Sequence, residues 1–141
     1  MQMKKRQPDL NDYIAGAMLA NGIVWTWLQM LSSMRNFFSR IPVGILADAS
    51  FVIYLLSGIV ASYQVCKRAS SGHLVAGVKF AAFAWGLSLL IILSMVSEPS
   101  IGMATTLLAC FVAGGIAGAY LSLRSALRQK RVKTPAPEGP E

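Results

Sequence analysis

Read for polarity alone, the chain sets long apolar runs between short polar breaks. Four runs stand out, 13–31, 41–65, 74–96 and 101–123. Each has about 20 residues or more, enough for an α-helix to cross a ~30 Å hydrocarbon core. The punctuation agrees with this division. Pro8 precedes the first run, Pro42 suits the first turn of the second, and Pro99 falls in the SEPS link before the fourth. Asn11 or Asp12, and later Ser100, are N-cap candidates, because a short polar side chain can accept from the open backbone N–H groups of a first turn. The pattern predicts an all-α polytopic membrane protein with four transmembrane helices in an up-down bundle. A basic segment 1–12 precedes the transmembrane domain 13–123, and a tail 124–141 follows it, basic at first and then disordered.

The fourth run raises a question of its own. Between Ala113 and Ala119, glycine and alanine occupy six of seven positions. Each glycine in a water-exposed helix costs roughly 1 kcal/mol, so the bare backbone must be compensated. In lipid the compensation is contact, since small residues four apart let two helix backbones approach closely. Thr106, Cys110, Gly114, Gly118 and Ser122 form such a series, and shorter ones occur at Gly16 and Ala20, at Gly58 and Ser62, and at Ala82 and Gly86. Every predicted helix therefore has a face suited to tight packing. An internal repeat is also visible. IAGAMLANGIVW (14–25) aligns with VAGVKFAAFAW (75–85), and SGIVASY (57–63) with GGIAGAY (114–120). Duplication would make runs one–two and three–four two like-oriented hairpins. Shared use of small residues is the alternative source of such matches.

Composition sharpens the membrane assignment. Hydrophobic residues make up 55% of the chain and charged residues only 13%, about half the charged share of ordinary soluble domains. Thirteen Lys and Arg against six Asp and Glu would suit a nucleic-acid binder. Their placement does not, because they frame apolar runs instead of interleaving with aromatics. No nucleic-acid partner is expected. Lys4, Lys5 and Arg6, then Lys67 and Arg68, then Arg124, Arg128, Lys130, Arg131 and Lys133 fall on one side, against Arg35 and Arg40 on the other. By the positive-inside rule both termini are cytoplasmic, in the cytoplasmic membrane. Lys67, Arg68, Arg124, Arg128, Lys130 and Arg131 are the expected contacts to anionic lipid headgroups, with 124–133 a helical extension lying among them. The first run holds Trp25, Trp27 and Gln29 and no convincing small-x-small cleavage site, so it is expected to be retained and not removed as a signal peptide. From Thr134 onward the tail, TPAPEGPE, has almost nothing to bury and is expected to be disordered.

Chemistry is sparse. Two cysteines, Cys66 and Cys110, fall at different depths, which argues against a disulfide, and no metal-ligand spacing accompanies them. His73 has no second ligand in view, and no cofactor is expected. Two ionisable residues do lie within the runs, where such groups mark functional sites by default. Asp48 would take up a proton or cation, or else cap a helix starting at Ala49 and pair with Arg35 or Arg40. Lys79 sits close enough to the cytoplasmic side to snorkel, and too far from Asp48 for a direct pair. Asn21 and Gln29 are hydrogen-bonding neighbours at those two depths. Trp25, Trp27 and Trp85 suit packing or the interface.

Gly114, Gly115, Gly118, Tyr120 and Arg124 give the last helix a GGxxGxY-like stretch followed by Arg. In this it resembles many small, mostly uncharacterised prokaryotic four-helix membrane proteins. The resemblance covers one helix and the layout, and implies no activity. The small multidrug transporters also have four helices but depend on a glutamate in the first, and here no acid follows Asp12 in run one. The expected role is a non-catalytic accessory or structural subunit. It would associate by its small-residue faces (Gly58, Ser62, Ala82, Gly86, Cys110, Gly114, Gly118 and Ser122) with itself or with a larger membrane complex. The alternative is a small oligomeric transporter or channel, holin-like pores included, working through Asp48. A lipid-modifying enzyme would need clustered acids or histidines that the runs do not supply.

Overall fold

The computed structural model describes residues 7–95, 98, 100–133 and 139. Five helices follow in order: α1 (Leu10–Ser33), α2 (Arg35–Phe38), α3 (Val43–Cys66), α4 (His73–Met95) and α5 (Ile101–Lys133). All but α2 are long and apolar enough to cross a membrane, and no strand occurs among the described residues. The chain is an all-α four-helix bundle. The Lys4–Arg6 cluster, Pro99 and the tail beyond Lys133 (Gly139 apart) lie outside the described residues.

Helix ends follow local chemistry more closely than the apolar runs do. The N-cap of α1 is Asp9 and not Asn11 or Asp12. Asp12, at the third helical position, accepts the Asp9 backbone N–H at 3.0 Å, which starts the helix ahead of its apolar face. Ser100 caps α5 as expected, accepting the Met103 N–H at 3.4 Å. Pro42 stands one residue before α3 instead of within its first turn. Between α3 and α4, Gly72 takes φ +66°, a left-handed conformation that lets the chain reverse within a six-residue link. Ala69 of that link is buried. The four-residue α2 follows α1 at the opposite end, where Phe38 sits edge-on to Trp27 with ring centroids 6.1 Å apart.

Consecutive long helices run antiparallel, so α1 and α4 point one way and α3 and α5 the other. Around the bundle the order is α1, α3, α5, α4, with α3 also touching α4 across it. The most extensive packing joins α3 to α5, a parallel pair, and then α4 to α5. This arrangement explains the small-residue run in α5. That helix presses against two neighbours with two different faces. Towards α3 it turns Gly114 and Gly118. A Cβ on Gly114 would lie 2.9 Å from the Gly58 Cα, and one on Gly118 would lie 2.7 Å from the Ile59 carbonyl oxygen. Towards α4 it turns Gly115 and Ala119, against Gly77 and Ala81. Two close contacts on one helix leave room for almost no side chains between positions 113 and 119.

The repeat matches in one place and not in the other. Gly16 and Gly77 are equivalent, each lying against its own hairpin partner, Val65 of α3 and Gly115 of α5 respectively. Gly58 and Gly115 align in sequence, yet Gly58 meets α5 while Gly115 meets α4.

Candidate functional site

Lipid gives little hydrophobic drive for helices to associate, so dispersion contact and hydrogen bonds hold them. Both are visible at every seam. Fully buried Phe80, Phe111 and Leu107 fill the interior. Each of the four seams also carries one polar tie. Between α1 and α4, Asn21 donates to the carbonyls of Ala17 at 2.9 Å and Ala84 at 3.1 Å. The Asn21 side-chain oxygen in turn accepts from the Ser88 hydroxyl. Between α1 and α3, the Trp27 indole N–H donates to Ser50 Oγ at 2.8 Å. Between α3 and α5, Ser62 Oγ donates to the Gly115 carbonyl at 2.8 Å. Between α4 and α5, the Trp85 indole N–H donates to the Ala104 carbonyl at 3.2 Å. Among the described residues no buried side-chain nitrogen or oxygen lacks a partner. Asn21, Ser62 and Ser88 thus fasten helix to helix, while buried Ser57 donates to the Tyr54 carbonyl of its own helix at 2.7 Å.

The ionisable residues sit elsewhere. Asp48 is exposed on the outside of α3, five residues and about 8 Å of rise from the helix start. It is not the cap of a helix beginning at Ala49, because Pro42 and the residues after it already wind α3 from Val43. Nor does it pair with Arg35 or Arg40; the ion pair seen among the described residues joins Arg68 to Asp12. Lys79 is exposed on α4. Gln29 is exposed as well, and Asn21 is bound to Ser88 and not to a group at the Lys79 depth. Cys66 and Cys110 are both free and buried. Cys66 Sγ approaches the Ser62 hydroxyl at 3.7 Å and the His73 carbonyl at 3.5 Å. No group of three or more His, Cys, Asp or Glu is placed to hold a metal among the described residues.

No family model matches the sequence, and no curated protein or solved structure gives a significant match. The geometry has to speak for itself.

The end that carries α1's start and the α3–α4 link is fastened too. Arg68 reaches from the link to Asp12, and the Gln7 side-chain amide donates to Ser70 Oγ at 3.2 Å and Ser71 Oγ at 3.0 Å. Arg68 thus has a protein partner as well as an exposed surface, while Lys67 is simply exposed. Arg124, Arg128, Lys130 and Arg131 are exposed along α5, which runs unbroken past Leu123 to Lys133. At 1.5 Å per residue this extension adds about 15 Å to the helix, so it continues α5 and is not a separate helix beside it.

Six of the eight small-residue positions are buried within the bundle. Gly58, Ser62, Cys110, Gly114, Gly118 and Ser122 are buried. Ala82 and Gly86 do not belong with them. Ala82 is exposed, and a Cβ on Gly86 would meet nothing within 4 Å. Thr106 is exposed as well, with its hydroxyl on the Gly102 carbonyl at 2.8 Å. On α4 the packing face is Gly77, Ala81, Ala84 and Ser88, turned away from Ala82 and Gly86. Ser88 alone gave no usable signal, since Ser94 of the same run is exposed; its inward side is set by the bond to Asn21. Ala82 and Gly86 instead floor an apolar groove of about 420 Å³ between α1 and α4, bounded by Ile14, Ala17, Phe83, Leu87 and Leu90.

Proposed function

We propose that this chain is a non-catalytic accessory or structural subunit of the cytoplasmic membrane, with both termini in the cytoplasm, acting through the sides its bundle leaves open. One observation carries the proposal. Buried Asn21, Ser62 and Ser88 bond one helix to another, whereas Asp48 and Lys79, the ionisable residues within the apolar runs, face outward. A transporter built from one copy would turn such residues to the bundle interior or to a water-filled path. Most small-residue faces are already occupied within the chain, so association with a second copy or a larger complex falls to other surfaces. The outer half of α3 is the strongest, because Asp48 stands there beside exposed Gly44, Phe51 and Val52. A carboxylate on the outside of a span gains most from a donor on a neighbouring protein.

Cross-linking in native membranes tests this. Asp48→Cys should form adducts with a second copy or a co-purifying protein, while Val60→Cys, exposed on the inner half of the same helix, should not. A strictly monomeric intact mass in mild detergent, together with equal adducts at both positions, would overturn it. The transporter alternative keeps one favourable observation, since an outward Asp48 would line a path formed between copies. Asp48→Asn in a liposome flux assay decides that question, and unchanged flux removes Asp48 from any such path.

A further inference from the structure

We propose that the α5 extension docks an acidic amphipathic segment of a soluble partner protein, whose apolar side covers Leu127. Three observations converge on this occupant. The first is where the extension stands. α3 and α5 run in register, Gly58 against Gly114 and Ser62 against Gly118, so the α3 end at Cys66 is level with Ser122. Ser122 is also the last buried residue of α5. α3 has 24 residues, about 36 Å, so this level already lies at the edge of a ~30 Å hydrocarbon core. Headgroups add only about 5–8 Å on each side. Arg128 stands about 9 Å of rise beyond Ser122, and Lys133 about 16 Å. The far turns of the extension therefore project past the headgroups into water.

The second observation is charge. Positions 124–133 hold Arg124, Arg128, Lys130, Arg131 and Lys133 and no acid. Arg124 with Arg128, Arg128 with Arg131, and Lys130 with Lys133 are spaced three or four apart, where like charges destabilise a helix. The bundle does not cover these turns, since every residue from Leu127 to Lys133 is exposed. Carboxylates from a partner would turn that repulsion into attraction. The third observation is an apolar anchor among the cations. Leu127 is 54% exposed and continues the exposed line Ile116, Tyr120, Leu123 in alternating steps of four and three residues. Such a seam is what a second helix fills. Arg124, Lys130 and Arg131 flank Leu127 three or four residues away. A second copy of the extension would set like charge against like. Nor does 124–133 hold an aromatic ring on which nucleobases could stack.

This surface lies outside the membrane and shares no residue with the α3 face used by the accessory role, so each reading can fail alone. The test titrates the full chain in phosphatidylcholine nanodiscs with a fluorescent synthetic peptide of leucine and glutamate, its leucines at heptad a and d positions. A scrambled peptide of the same composition is the control. The patterned peptide should bind about tenfold more tightly than the scrambled one. Replacing both Arg124→Gln and Arg131→Gln should weaken it about tenfold at low salt and much less at high salt. Leu127→Gln should weaken it about tenfold at either salt concentration, because the lost contact is apolar. Arg35→Gln, at the other end of the bundle, should change nothing. A lipid-bound extension is distinguished by a bimane on Val132→Cys, a site 82% exposed in a chain whose native thiols are buried. Acrylamide should quench it equally in phosphatidylcholine and in phosphatidylglycerol nanodiscs. Equal binding of the two peptides, full binding by either variant of the extension, or shielding of the bimane by phosphatidylglycerol would overturn the proposal, the last in favour of lipid.

Discussion

At the scale of single residues, glycine serves two opposite purposes in this chain. At Gly118 an added Cβ would meet backbone, the Ile59 carbonyl oxygen at 2.7 Å and the Tyr63 nitrogen at 2.8 Å. Backbone cannot rotate aside, so α3 and α5 would have to part. At Gly86 the same atom would meet nothing within 4 Å. Leucine at each position makes the comparison direct. Gly118→Leu is expected to destabilise the bundle at or above the upper end of the ~1–3 kcal/mol typical of overpacked cores. Gly86→Leu is expected to stay within about 0.5 kcal/mol of the parent, as for an open surface site. Unfolding in mixed micelles, followed by circular dichroism, measures both. Equal losses would mean that α3 and α5 do not meet as closely as their glycines indicate.

At the scale of helices, each seam combines close packing with one hydrogen-bonded tie. The α1–α4 tie is the most elaborate, because Asn21 uses both amide hydrogens and its oxygen within a buried site. A double-mutant cycle of Asn21→Leu and Ser88→Ala should give a coupling energy near 0.6 kcal/mol, and below about 1.7, the range found for interhelical hydrogen bonds in membranes. No coupling would place the Ser88 hydroxyl wholly on its other acceptor, the Ala84 carbonyl at 2.9 Å. These ties also mark where the sequence could be read and where it could not. Four long helices were legible because hydrocarbon thickness imposes a length on any spanning run, and each boundary fell within three residues once the 124–133 extension is counted with α5. The tight face of α5 was legible because Gly114-x-x-x-Gly118 leaves a deep notch there, but spacing does not name α3 as the helix that fills it. On α4 the small residues fall on two faces, Gly77 with Ala81 and Ala82 with Gly86, and spacing alone does not say which one turns inward. Asn21 was visible as a donor, but its partner depends on which helices become neighbours. Short α2 escaped notice because four residues around Phe37 and Phe38 give no periodic signal.

At the scale of the whole molecule, charge distribution and helix direction make a prediction about orientation. The described basic residues at the end shared by α1's start, the α3–α4 link and the α5 extension are Lys67, Arg68, Arg124, Arg128, Lys130, Arg131 and Lys133. The opposite end carries Arg35 and Arg40. Retention of Lys and Arg on the cytoplasmic side during insertion should place the first group inside. The fold supplies a clean way to check this. Both native thiols are buried, so a membrane-impermeant maleimide should find little background on the parent chain. Ser71→Cys lies exposed on the link and Ser39→Cys lies exposed just after α2, at opposite ends of the bundle. In intact spheroplasts Ser39→Cys is expected to label and Ser71→Cys to stay protected until the membrane is opened. Ser71 accepts from Gln7, so its replacement loosens one exposed contact, while the Arg68–Asp12 pair still holds that end together. Labelling of both cysteines in sealed cells would contradict four crossings. The reverse pattern would keep the bundle and invert it, moving the basic extension of α5 to the outer side.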